Sequence, residues 1–419
     1  MSAVCRVPDP SIVFFRRFYA EFLLDFRAVR PFCPNTFFLN IFRIFLLLQH
    51  SKCCMLRAAR SSFGAVMISV SMPVSQHSRK TYLDFLRVFA IFMVVLIHTP
   101  SMGVPYTHEG GCLSTLLMLL VNMIASLSVP LFFMISGALL LEKNESLGVL
   151  FKKRIARYIA VIILFHLGQA LYASCFCGIP FSFKMLLIRS FVVGRAPTTA
   201  TWWFLYAYVA MLMLLPFLRV LAQNMKNEHF LYLMALQMLF VALMPIRGFA
   251  LQKYLFLCSL IPMSTLTGYY LENRFRIEAL RMSHVFAALM LSLVYFCVVL
   301  LMAEGHRLGH HSATYLQGFS CFTALKLIPC ITVFLIVKKI FTVKLLPRWV
   351  SCLMTLLGGA AFTIMLTENI LRRIAEYLLD YAGEIPLYPK GFCIAFLACC
   401  MGFPLGIILK QIPGIRKLI

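Results

Sequence analysis

Three ionisable side chains, Asp84, Arg87 and His98, stand in one apolar stretch that begins at Tyr82. A plain membrane anchor would avoid them, because charged groups in hydrocarbon are costly and mark functional interiors. Arg87 and His98 are eleven positions apart. On a helix that is about 1100° of rotation, so both point within roughly 20° of one direction, about 16 Å apart along the axis. Asp84, three positions before Arg87, lies on the same side. An imidazole on such a face can act as general base towards a hydroxyl or carry an acyl group covalently. For Asp84 and Arg87 two readings stand together: a buried ion pair that registers the helix, or a direct role beside His98.

Other polar groups extend this set. Glu368, followed by Asn369, is a carboxylate inside a later apolar run; it is either part of the site or a side chain reaching the boundary near Arg372 and Arg373. Lys153, Arg154 and Arg157 form a basic cluster in which Arg154 and Arg157 share a helical face. Paired guanidinium forks suit phosphate oxygens, although a basic cluster at a membrane boundary also follows from topology alone. Ser136-Gly137 is a small pair suited to close helix packing. Trp202-Trp203 opens another apolar run as an aromatic belt would, with stacking on a sugar ring as a second use. His306, His310 and His311 lack a carboxylate framework for a metal and read as a solvated loop. The 15 cysteines show neither zinc spacing nor a disulfide pattern.

These residues need a scaffold, and composition names it. A chain of 419 residues that is 61% hydrophobic and 13% charged is an integral membrane protein. The excess of 39 Lys and Arg over 15 Asp and Glu reads as basic cytoplasmic loops. It does not indicate nucleic-acid binding, since no basic stripe with interleaved aromatics lies outside the apolar runs. The fold expected is all-α, with about ten transmembrane helices over 82–99, 113–141, 158–177, 202–221, 230–245, 254–271, 284–302, 315–337, 350–370 and 391–409. Alternate loops, starting with Arg79-Lys80, hold twice the basic residues of the intervening ones, which places both termini in the cytoplasm. The Asp84 end of the first helix is then inside and the His98 end outside. Residues 1–78 differ from the rest and read as an N-terminal extension, with translation from a later start such as Met67 or Met72 the favoured account; residues 79–419 form the membrane domain.

Taken in order, Tyr82-Leu83-Asp84-Phe85-Leu86-Arg87 with Ala90 and His98, then Val129-Pro130-Leu131-Phe132-Phe133-Met134-Ile135-Ser136-Gly137, then Lys153-Arg154 to Arg157, Trp203-Phe204-Leu205-Tyr206, and Leu357-Gly358 to Leu366 resemble the acyltransferase 3 family of membrane proteins. The spacing is most similar to the type that O-acetylates enterobacterial common antigen in the bacterial inner membrane. The resemblance implies an O-acetyltransferase, a multi-pass enzyme with no bound cofactor. It would move acetyl from cytoplasmic acetyl-CoA to a hydroxyl of a surface glycan or lipid-linked saccharide. It puts the family's essential histidine on His98, its first-helix arginine on Arg87 and its arginine pair on Arg154 and Arg157. One departure is plain: family members often carry Tyr-Leu-x-His in the ninth helix, where this chain has Met365-Leu366-Thr367-Glu368. The alternative class is a transporter or flippase using Asp84, Arg87 and Glu368 as coupling charges.

Overall fold

In hydrocarbon a backbone N–H has no water to bond, so apolar runs of this length must satisfy themselves as helices. The computed structural model describes residues 80–99, 112–177, 182–183, 203–243, 259–307, 325–343, 347–383, 385–416 and 418; these are helical, with no strand among them. The helices are α1 (Thr81–Ile97), α2 (Cys112–Ala125), α3 (Ser128–Leu140), α4 (Ala156–Cys177), α5 (Trp203–Asn224), α6 (Asn227–Leu243), α7 (Leu260–Tyr269), α8 (Met282–Arg307), α9 (Leu327–Val343), α10 (Arg348–Ala382), α11 (Leu387–Leu409) and the short α12 (Pro413–Arg416). Among the described residues, five stretches are long and apolar enough to cross a membrane: Leu116–Leu140, Trp203–Asn224, Met282–Gly305, Trp349–Tyr381 and Pro389–Leu409. Residues 1–79, and the expected span residues 202, 244–245, 254–258 and 315–324, lie outside the described residues.

The chain divides into two units, one of Lys80–Ile162 with Thr198–Ile419 and one of Met1–Arg79 with Ile163–Pro197. The second contributes the distal part of α4, and the site lies wholly in the first.

Two expected spans take a different form. The run 113–141 divides into α2 and α3 at Ser126-Leu127. Pro130 cannot donate to the carbonyl four residues back, so the helical ladder loses its bond at Ser126. The chain tightens there, with Leu127 N–H donating to the Ile124 carbonyl at 3.1 Å. The span expected over 350–370 is part of a 35-residue helix, about 52 Å long against a hydrocarbon core of about 30 Å. Hydropathy marks the part that lipid covers, whereas the helix stops where its backbone must turn. Gly383, at φ 130 and ψ −179, supplies that stop in a region open essentially to glycine.

Burial on all sides makes α3 the centre of one core. Leu131, Phe133, Met134 and Ile135 pack with Leu83 and Leu86 of α1, Leu215 of α5, Leu266 of α7 and Phe334 of α9. A second core joins the other half of α1 (Ile91, Val94, Val95, Leu96) to Ile364, Leu371 and Ala375 of α10 and to Ile394, Ala395 and Ala398 of α11. A single helix, α1, therefore runs through both cores. By contrast, α8 shows Phe286, Leu293, Val294 and Leu301 to the outside, as a lipid-facing helix does.

The pairing of α3 with α7 depends on two glycines. A Cβ on Gly137 would collide with the Thr265 carbonyl, and one on Gly268 with the Met134 carbonyl, so backbone lies on backbone as in other small-residue membrane contacts. Gly137→Ala and Gly268→Ala are each expected to destabilise the protein by about 1–3 kcal/mol, the usual cost of overpacking. Gly148→Ala, where a Cβ meets nothing within 4 Å, should not. Unfolding of the detergent-purified variants measures the difference.

Candidate active site

Helix α1 ends at Ile97, and Thr99 closes the turn by donating its N–H at 3.0 Å and its hydroxyl at 2.7 Å to the Leu96 carbonyl. His98 is left at the C-cap with φ −90 and ψ 1. Its Nδ1 lies 3.0 Å and 3.1 Å from the two oxygens of Glu368 on α10. The carboxylate side chain is 2% exposed and the imidazole 24%, so the ring is gripped from within and open on one side. A carboxylate at Nδ1 favours the tautomer with its proton there and leaves Nε2 as the basic, nucleophilic nitrogen. Glu368 thus stands where it orients an imidazole. Arg372, one turn further along α10, donates Nη1 to the His98 carbonyl and Nη2 to Asn369 Oδ1, the latter at 3.1 Å.

Asp84 and Arg87 are not part of this contact. They pair with each other, Nη1 to Oδ1 at 2.5 Å, near the opposite end of α1. Asp84 is 1% exposed and Arg87 28%. The carboxylate occupies the place of a missing side chain, since a Cβ on Gly358 of α10 would lie 3.0 Å from Asp84 Oδ1. The pair thereby registers α1 against α10.

The basic cluster sits on a π-helical turn, Leu150–Ile155, that leads into α4. Arg154 makes a two-point contact with Glu145, Nε to Oε2 at 2.9 Å and Nη2 to Oε1 at 2.5 Å. Arg219 of α5 holds the same carboxylate through Nη2 at 3.0 Å, and donates Nε to the Leu140 carbonyl at 3.0 Å and Nη1 to the Glu145 carbonyl at 3.3 Å. Arg157 donates Nε to the Leu418 carbonyl at 2.9 Å, and Lys153 is exposed. The fork of Arg154 expected to meet phosphate is therefore engaged by Glu145, with Nη1 its remaining edge.

Between the two ends lies an aromatic row. Tyr158, next to Arg157, packs on Tyr208 of α5 with ring centres 4.8 Å apart and on Phe362 of α10 at 5.2 Å. Ser136 donates to the Phe132 carbonyl at 2.9 Å, with the Tyr208 hydroxyl 3.5 Å away. Trp203 opens α5, 43% exposed, edge-on to Phe204. Phe362 and Glu368 are six residues apart on α10, about 9 Å along the axis. His310 and His311 lie outside the described residues, as does the side chain of His306.

Sequence reasoning did not single out Glu145, Arg219 or Glu272. The last is a buried carboxylate, 5% exposed, that meets Lys80 at 2.6 Å, Lys338 at 3.1 Å and the Tyr82 hydroxyl. The rule that intramembrane charges seek partners would have flagged Arg219, which lies within an apolar helix; Glu145 and Glu272 sit at helix ends, where carboxylates are ordinary.

Hydrogen bonds from Arg154, then from Arg219, hold the Glu145 carboxyl down at about 2 against the opposing effect of burial. Its folded value lies below the ordinary 4.5, so the stabilisation is full above that pH and is lost as pH falls towards 2. Thermal stability of the wild type should drop across that window more steeply than that of Glu145→Gln. Melting temperatures of both proteins between pH 6 and pH 2 test this.

A family model described as an acyltransferase domain, of the acyltransferase 3 type, matches residues 80–409, from the start of α1 to the end of α11. A search of curated proteins finds no match. With that match spanning the His98–Glu368 contact, the Asp84–Arg87 pair and the basic turn, the chain belongs to the acyltransferase 3 family and is a membrane acyltransferase.

Proposed function

We propose that this protein is an O-acetyltransferase of the bacterial inner membrane. It moves acetyl from cytoplasmic acetyl-CoA to a hydroxyl of a surface glycan or lipid-linked saccharide such as enterobacterial common antigen. The observation that carries this reading is His98 Nδ1 held 3.0 Å from the buried Glu368 carboxylate. That arrangement prepares Nε2 to take a proton from an attacking hydroxyl.

The step balances simply. The acceptor oxygen bonds to the thioester carbonyl carbon while His98 Nε2 removes its proton; the carbon–sulfur bond breaks, and the CoA thiolate leaves and is protonated. In the covalent variant the same nitrogen first takes the acetyl group. Glu368 stabilises the imidazolium in either case.

About ten spans with both termini in the cytoplasm would put Lys153, Arg154 and Arg157 beside the donor, and His98 towards the outer face. Lys153, Arg157 and Arg154 through its Nη1 edge would bind the phosphates of CoA, while Glu145 fixes the plane of Arg154. Tyr158 and Phe362 lie between this end and Glu368, where the pantetheine arm has to pass. Trp203 on α5 and Ser136 on α3 would supply an aromatic face and a hydroxyl to the acceptor.

Purified protein in liposomes, given radiolabelled acetyl-CoA and an N-acetylglucosamine-containing acceptor, should label the acceptor. His98→Ala is expected to lower the rate by about 10²–10⁴, the range of positioned acid–base catalysis. Glu368→Gln, which keeps the shape but not the charge, should also fall by orders of magnitude. Movement of a saccharide across the bilayer without release of CoA would instead establish a transporter, with Asp84, Arg87 and Glu368 as coupling charges.

A further inference from the structure

Arg372 lies on α10 four residues after Glu368. At that spacing a guanidinium and a carboxylate meet readily on one helical face. Here Glu368 directs both oxygens at His98 Nδ1, at 3.0 Å and 3.1 Å, and Arg372 directs Nη1 at the carbonyl of the same histidine. Its Nη2 is fixed by Asn369 Oδ1 at 3.1 Å, and its buried Nε has no hydrogen-bond partner among the described residues. One face of α10 thus grips His98 twice, by side chain and by backbone.

His98 needs the second grip because of where it stands. It is the C-cap of α1, beyond the last residue with helical backbone, and carbonyls at a helix C-terminus lack intrahelical donors. A cation there also meets the negative end of the helix dipole. With its carbonyl released, residue 98 would pivot about the turn that Thr99 closes, and its ring would leave the axis set by Glu368. We propose that Arg372 is a positioning residue for acyl transfer: it holds the His98 backbone so that the imidazole, oriented by Glu368, keeps Nε2 directed at the reacting carbonyl. This rests on the transferase reading above.

The test compares full-length wild type, Arg372→Gln and Arg372→Lys in liposomes, with acetyl-CoA binding measured alongside turnover. Arg372→Gln should lose about 100-fold in kcat, the effect of a misplacement of about 1 Å. Acetyl-CoA affinity and KM for the donor should stay at the wild-type value, because the donor end lies elsewhere in the bundle. Arg372→Lys, which keeps the charge and a donor for the carbonyl, should recover much of that loss.

Wild-type kcat in Arg372→Gln overturns the assignment. So does a parallel loss of acetyl-CoA binding in both variants, which would mark a general packing role. A wild type that binds acetyl-CoA and transfers nothing sinks the transferase reading and the assignment together, whereas an active wild type with an equally active Arg372→Gln overturns the assignment alone.

Discussion

The contact of α1 with α10 is the constraint on which the other features depend. Asp84 fills the space above Gly358, and His98 meets Glu368. Both contacts ascend the two helices in the same order, so α1 and α10 run in the same direction. Asp84 and His98 are fourteen residues apart and Gly358 and Glu368 ten, about 21 Å and about 15 Å along their axes. A slide of one turn, about 5.4 Å, would break both contacts at once. The glycine is needed because Asp84 leaves no room for a β-carbon, and α11 repeats the arrangement on another side, Gly402 lying against Ile364 and Gly406 against Ala360.

Charge inside the bundle is tolerated only in company. Removing an ion from water costs several kcal/mol that a single partner repays only with excellent geometry, and among the described residues the buried carboxylates of Asp84, Glu272 and Glu368 and the partly exposed one of Glu145 each have a cation or an imidazole in contact. Asp84 has Arg87, Glu368 has His98, Glu145 has two arginines, and Glu272 has Lys80 and Lys338. These groups also tie separate helices together. Glu272 joins the start of α1 to the end of α7 and to α9, where Lys338 donates in addition to the Leu271 carbonyl at 2.8 Å. Glu145 joins α5 to the turn before α4. The groups that would be most costly alone therefore specify how the helices are placed.

Local spacing made some of this readable in the sequence and hid the rest. The Asp84–Arg87 pair was legible because three residues on a helix bring two side chains together without help from any other element. The Ser136-Gly137 packing site was legible because small residues have few other uses in such a helix. The meeting of His98 with Glu368 spans 270 residues, and no periodicity reports the register of one helix against another. The reach of α10 is not legible in the same way, because the length of an apolar run is not the length of the helix. Leu371, Ala375 and Leu379 continue an apolar stripe into the second core beyond the run expected over 350–370, and that continuation carries Arg372 inward. The chemistry of Arg154 alone suits phosphate, and its own spacing does not reveal the loop carboxylate that claims its fork.

The same geometry limits how the two ends could cooperate. The basic side chains that suit a phosphate lie on the turn before α4 and at its start, and the imidazole that suits a hydroxyl lies at the C-terminal end of α1, so a reaction using both needs a substrate long enough to span the interval. On the proposed reading acetyl-CoA is such a substrate, charged at one end and reactive at the other. The interval is bridged by packed side chains: Tyr158 follows Arg157 directly and touches Phe362, which shares α10 with Glu368. A thin, flexible arm can pass beside aromatic rings that pivot, whereas a hydrated nucleotide cannot follow it without losing its water. The bundle would then admit the acyl group while holding back the charged head. On that reading, donor selection at the basic turn and chemistry at His98 would be separable steps on one scaffold.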